Sequence, residues 1–118
     1  MKVTTENKIQ QEIYLYFKLN YCLPKHENRC MIFSVPNDSS NAVEQQRKVN
    51  TGLLAGVSDL IMFIGTDVYF IEIKTSTGRQ SDKQKDFENR VNLLGHNYFL
   101  VRSLDEFKKI VIFATNKN

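Results

Sequence analysis

Apolar positions recur along this chain at two different spacings, and the spacings mark out the elements. Between Thr5 and Asn20 the residues Ile9, Ile13, Tyr16 and Phe17 fall on one helical stripe. With Thr4 or Thr5 as N-cap, this predicts an amphipathic helix that Pro24 prevents from continuing. Met31 to Val35 is a short β-prone run, and Pro36-Asn37-Asp38 predicts a turn after it. From Asn37 to about Thr51 the chain is polar, with room for a turn or two of helix near Ala42 to Arg47. Having little to bury, it is the expected mobile stretch. Two strong strands are predicted next, Asp59 to Ile64 and Val68 to Lys74. The Gly65-Thr66 pair between them signals a type II′ hairpin. Both are apolar at nearly every position, which predicts a sheet covered on both faces. Ser81 is a good N-cap for a helix to about Leu94, with Phe87, Val91 and Leu94 inward and Gly95 closing it. A strand from Asn97 to Arg102 follows. Ser103 then caps a last helix, Leu104 to about Phe113, that buries Leu104, Phe107, Ile110 and Val111. The predicted order is α-β-β-β-α-β-α.

Composition narrows the class. With 118 residues the chain is long enough for one domain, 1–118, and too short for two. At 42% hydrophobic and 25% charged it has the balance of a folded globular protein. No apolar run approaches the ~20 residues that span a bilayer. The polar start Met1-Lys2-Val3-Thr4-Thr5-Glu6 does not read as a signal peptide, so an intracellular, cytoplasmic location is expected. The net charge of +3 permits a polyanionic partner without requiring one. Cys22, His26 and Cys30 are spaced four apart, but a tetrahedral zinc set would need His96 or a carboxylate to complete it. They are read as reduced cysteines and a loop histidine.

The chemistry concentrates in Gly56-Val57-Ser58-Asp59 and Glu72-Ile73-Lys74. With a two-residue Gly65-Thr66 loop, Ile64 pairs with Asp67, and counting outward places Asp59 directly opposite Glu72. Opposed residues of an antiparallel pair have Cβ atoms ~4.5–5.5 Å apart on one face. Lys74, two residues beyond Glu72, lies on that face as well. Two carboxylates so close repel each other unless a cation lies between them, and oxygen-only ligands favour Mg²⁺ or Mn²⁺ over zinc. Two acids sharing a metal beside a lysine are the parts needed to cut a phosphodiester bond. A one-residue slip in register would send one acid to the other face. Taken alone, the three residues also fit solvated strand ends, but Ile61, Phe63, Val68 and Phe70 share their face, where unpartnered charge is costly.

Four segments together resemble the virus-type replication-repair nuclease (VRR-NUC) domain of the PD-(D/E)XK nucleases. They are Gly56-Val57-Ser58-Asp59-Leu60, Phe70-Ile71-Glu72-Ile73-Lys74-Thr75, Gly78-Arg79-Gln80-Ser81 and Gln84-Lys85-Asp86-Phe87. The likeness covers nearly the whole chain. It implies an α/β, restriction-endonuclease-like αβββαβ core with a central mixed sheet flanked by helices. One departure is Ser58, where the superfamily motif usually has proline. The resemblance implies that Asp59 and Glu72 bind the metal with the Ile73 carbonyl as third ligand, and that Lys74 positions the attacking water. It implies support from Gln84 and a glutamate from the first helix. On the helical wheel Glu6 lies nearer the apolar stripe than Glu12, and Glu6-x3-Gln10 fits the family's opening, so Glu6 is chosen.

The implied activity is Mg²⁺- or Mn²⁺-dependent hydrolysis of DNA in replication, repair or recombination. The expected setting is a bacterial cell or a phage-infected host. Stand-alone members resemble Holliday-junction resolvases acting as homodimers, whereas fused versions cut flaps. Arg47, Lys48, Arg79, Ser81, Lys83 and Lys85 are the candidate DNA contacts. The competing readings are a restriction-type or flap nuclease, and a non-catalytic nucleic-acid-binding module on the same fold.

Overall fold

The computed structural model describes residues 2–22, 30–36, 41–52 and 54–117. Helix α1 spans Lys2–Phe17 and runs into a π-helical turn, Lys18–Cys22; strand β1 is Cys30–Ser34 and helix α2 is Ala42–Asn50. Strands β2 and β3 are Leu60–Ile64 and Asp67–Ile73, followed by α3 (Asp82–Leu93), β4 (Asn97–Val101) and α4 (Leu104–Lys117).

The four strands form one sheet in the order β1-β2-β3-β4. The first two pairings are antiparallel and β3 pairs with β4 in parallel, so the sheet is mixed. The hairpin register matches the count across Gly65-Thr66, with Ile64 opposite Asp67 and Leu60 opposite Ile71. Gly65 has φ +60 and Thr66 does not have positive φ, as a type II′ turn requires.

Alternation decides what each face buries. Ile32, Leu60, Met62, Ile64, Tyr69, Ile71, Ile73 and Val101 project to one side, where Ile13 and Phe17 of α1 and Phe107, Val111 and Ala114 of α4 close over them. Phe107 packs edge-on to Phe17 with ring centroids 6.3 Å apart. The opposite face has a smaller cluster, in which Phe87 and Val91 of α3 meet Tyr98, with Phe70 and Val57 against them.

That second face corrects an expectation. α3 covers the β3–β4 half only, while Met31 and Phe33 of the edge strand β1 stay 51% and 40% exposed. One helix is too narrow to roof four strands. Other differences concern helix ends. Thr4 and Thr5 lie inside α1 rather than capping it. Leu94 is the C-cap of α3 and is 73% exposed, because the chain turns away at Gly95 (φ +83) before Leu94 can join the Phe87–Val91 stripe. The polar stretch after β1 carries a nine-residue helix capped by Asn41, whose side chain accepts from the Glu44 N–H at 2.8 Å. α4 extends a turn past Phe113, burying Ala114. The expected stop at Pro24, the turn at Asn37-Asp38 and His26 lie outside the described residues.

Candidate active site

The two acids sit where the hairpin opens. Asp59 precedes β2, and its main-chain carbonyl accepts from Val35 N–H at 2.9 Å, which extends the β1–β2 ladder by one residue. Its side chain reaches across: Oδ2 accepts from the Ile73 N–H at 2.8 Å. The carboxylate therefore completes the β2–β3 ladder where backbone pairing ends. Ser58, in the proline position of the motif, is fully buried, and its hydroxyl donates to the Leu60 carbonyl at 3.1 Å. The hydroxyl thus gives this strand entry a local bond that proline cannot make.

Glu72 is only 2% exposed, on the α3 face of the sheet. Its two oxygens have different surroundings. Oε2 accepts from Gln84 Nε2 at 2.9 Å and lies 3.9 Å from Lys74 Nζ. Among the described residues no group donates a hydrogen bond to the buried Oε1, and the Asp59 side chain lies within hydrogen-bonding reach of Glu72. Burial and then the facing Asp59 carboxylate push the Glu72 pKa up to about 9, against a smaller lowering by Lys74. Glu6 also contributes to the rise, so it lies within electrostatic reach. Glu12 is exposed and is not among the causes.

Gln84 is aimed by the start of its helix. Ser81 and Gln84 form a capping box, with Ser81 Oγ accepting from Gln84 N–H at 3.2 Å and Gln84 Oε1 accepting from Ser81 N–H at 2.8 Å. The amide oxygen is thereby fixed on the backbone and its NH₂ faces Glu72. Gly56 allows the helix to approach this closely: a Cβ there would stand 2.2 Å from the Lys83 carbonyl oxygen.

Of the expected DNA contacts, Arg79, Lys83 and Lys85 are exposed beside the start of α3, and Ser81 is its N-cap. Arg47 and Lys48 lie on α2 rather than on a loop, and Arg47 bonds Glu44 at 2.6 Å. Cys30 Sγ donates to the Tyr21 carbonyl at 3.1 Å. Among the described residues no group of three His, Cys, Asp or Glu side chains converges as a ligand set.

Sequence reading passed over three residues that frame the site. Arg102 Nη1 donates to the Thr75 and Gly78 carbonyls at 2.5 and 2.8 Å, tying down the loop that follows Lys74. Gln80 bridges Glu88 and the Tyr98 hydroxyl at 3.0 and 3.1 Å. Burial raises the Tyr98 pKa, with Glu72 and Asp59 adding to it, so this network borders the acids. The parallel β3–β4 pairing sets Val101 beside Ile73, which brings Arg102 to Lys74. No local pattern announces that juxtaposition.

A solved VRR_NUC domain protein superposes with a TM-score of 0.71, at 20% identity over 91% of this chain and 84% of that one. A second VRR_NUC domain gives 0.62, at 16% identity over 91% and 94%. The chain has the VRR-NUC fold. No family model and no curated protein matches it by sequence. Within the VRR-NUC fold, the acids occupy the open end of the central hairpin, with Lys74 and Gln84 on one side of Glu72.

Proposed function

We propose that this protein is a metal-dependent DNA endonuclease of the structure-selective, junction-resolving kind, working as a homodimer in replication, repair or recombination. The observation that carries the reading is the split of Glu72. One oxygen is satisfied by Gln84 and Lys74, while the other is buried and, among the described residues, receives no donated hydrogen bond, with the Asp59 carboxylate close to the same side chain. A hard divalent cation fits that oxygen-only arrangement, because it would satisfy Oε1 and remove the repulsion between the acids.

Asp59, Glu72 and the Ile73 carbonyl would hold Mg²⁺ or Mn²⁺. The cation supplies polarisation of the phosphoryl oxygen and a lowered pKa for water. Asp59 is pre-aimed by Ile73 N–H, so no reorganisation of its rotamer is needed. Lys74 sets a positive charge where the scissile phosphate gains negative charge and orients the attacking water. Gln84 keeps Glu72 in one rotamer, and Glu6 completes the acidic wall from α1. Arg79, Ser81, Lys83 and Lys85 take neighbouring phosphates at the start of α3, and Arg47 and Lys48 extend the contact from α2. Symmetric cutting of a four-way junction needs two copies. Ile112 and Phe113 of α4, 52% and 59% exposed, supply an apolar face for the dimer.

A nicking assay with Mg²⁺ or Mn²⁺ on four-way junction, flap, linear duplex and supercoiled plasmid tests this. Junction cleavage by wild type, abolished in Lys74→Ala, is expected. Cleavage at fixed sequences in linear duplex would favour a restriction-type enzyme. Binding of DNA without cutting would leave a non-catalytic module.

A further inference from the structure

Helix α1 carries two stripes with different chemistry. Ile9, Ile13, Tyr16 and Phe17 pack into the core. Asn7, Gln10, Gln11 and Tyr14, spaced i, i+3, i+4 and i+7, form a second stripe. It forms one wall of an open groove of about 590 Å³, whose other wall is Ile32, Phe33 and Ser34 of β1 with Leu60 of β2. Among the described residues β1 is the edge strand of the sheet. One end of the groove lies next to the candidate site along α1: Asn7 follows Glu6, which is within electrostatic reach of Glu72.

We infer that this groove accepts an unpaired base of the nucleic-acid strand whose phosphate lies at Asp59 and Glu72. The proposal rests on the nuclease reading of that site. Its size is in the range of about 300–1,000 Å³ typical of small-molecule pockets. None of its lining residues is charged, so it suits a base rather than a phosphate. Three side-chain amides present donors and acceptors together, as base edges require. Tyr14, 37% exposed, offers a ring face for stacking. Lys18 Nζ lies 5.8 Å from the Tyr14 ring centre and supplies a cation at that ring. A paired base stays stacked inside its duplex, so only a base unpaired at a branch, loop or end enters at small cost.

The test uses the full chain with Ca²⁺ and DNA branches carrying 2-aminopurine at one unpaired or one paired position. Wild type is expected to change the fluorescence of the unpaired probe and leave the paired probe unaltered. Tyr14→Ala should remove that response and raise KM for branched substrate about tenfold or more, with kcat little changed. Gln10→Ala/Gln11→Ala should weaken the response without removing it. All these side chains lie on the groove wall rather than in the core, and unchanged thermal melting confirms folding. An equal response from paired and unpaired probes, or one that survives Tyr14→Ala, overturns the proposal while leaving the nuclease reading intact. If no DNA is cut with Mg²⁺ or Mn²⁺, the nuclease reading fails and the probe response still decides the groove. If Tyr14→Ala instead changes the mass of the protein in light scattering, with the probe response kept, a second copy occupies the groove and the proposal is overturned.

Discussion

Asp59 has two jobs that substitution can separate. Its Oδ2 closes the sheet ladder at Ile73 N–H, a structural role, and its charge faces Glu72. Asp59→Asn keeps an acceptor for that N–H and loses the charge. It should melt close to wild type while junction cleavage drops by at least about a hundredfold. Asp59→Ala loses both, and should also cost about 1–3 kcal/mol by leaving a half-buried N–H unpaired. Equal activity in Asp59→Asn and wild type would remove the metal role. Glu72 gives a pH prediction for metal-free protein. Its folded pKa of about 9 lies above its ordinary value of 4.5, so the folded state holds the proton more tightly than the unfolded chain. That contribution is fully present below about pH 4.5 and is lost as pH rises to about 9, a fall on the order of several kcal/mol. Thermal melting in chelator should therefore decline across this window in wild type and lose most of that decline in Glu72→Gln. Added Mn²⁺ should raise the melting temperature, and by more at the alkaline end, because the proposed cation would bind the ionised carboxylates.

At the scale of elements, the central hairpin and α3 act as one unit. The hairpin register was legible because Gly65-Thr66 leaves little freedom in a two-residue turn, and once it is set Asp59 must face Glu72. The capping box was half legible: Ser81 reads as an N-cap, but the reach of Gln84 to Glu72 depends on how closely α3 approaches the sheet. Gly56 sets that approach. Gly56→Ala should displace the first turn of α3, strain a backbone at φ +83 and separate Gln84 from Glu72. Loss of both stability (about 1–3 kcal/mol) and cleavage is expected. Gly52→Ala is the control, since φ is +116 there but, among the described residues beyond its chain neighbours, no atom lies within 4 Å of the added methyl. It should lower stability by backbone strain and spare activity. Calorimetry beside the nicking assay separates the two. Leu94 shows how a stripe misleads, because Phe87, Val91 and Leu94 have ideal helical spacing but the helix ends before the third joins.

For the whole molecule, stability and chemistry lie on opposite faces of the sheet. The large cluster under α1 and α4 holds Phe17 and Phe107 fully buried, whereas the acids lie on the face that α3 only half covers. Phe107→Ala should cost about 3–5 kcal/mol in denaturant unfolding. Residual folded protein should still cut, since Phe107 is far from the acids in packing terms and touches α1 instead. A loss of activity out of proportion to the folded fraction would mean that α4 also shapes the site.

Local physics in the sequence determined the elements, the hairpin register and the pairing of Asp59 with Glu72, because each follows from side-chain period and a two-residue turn. Only the tertiary structure decided what surrounds them. Burial of Glu72 with one oxygen that receives no donated hydrogen bond among the described residues, Arg102 beside the loop after Lys74, the approach of α3 over Gly56 and the groove between α1 and β1 all join segments far apart in the chain. Their geometry is set by how helices settle on a twisted sheet, and no periodicity along the chain records it.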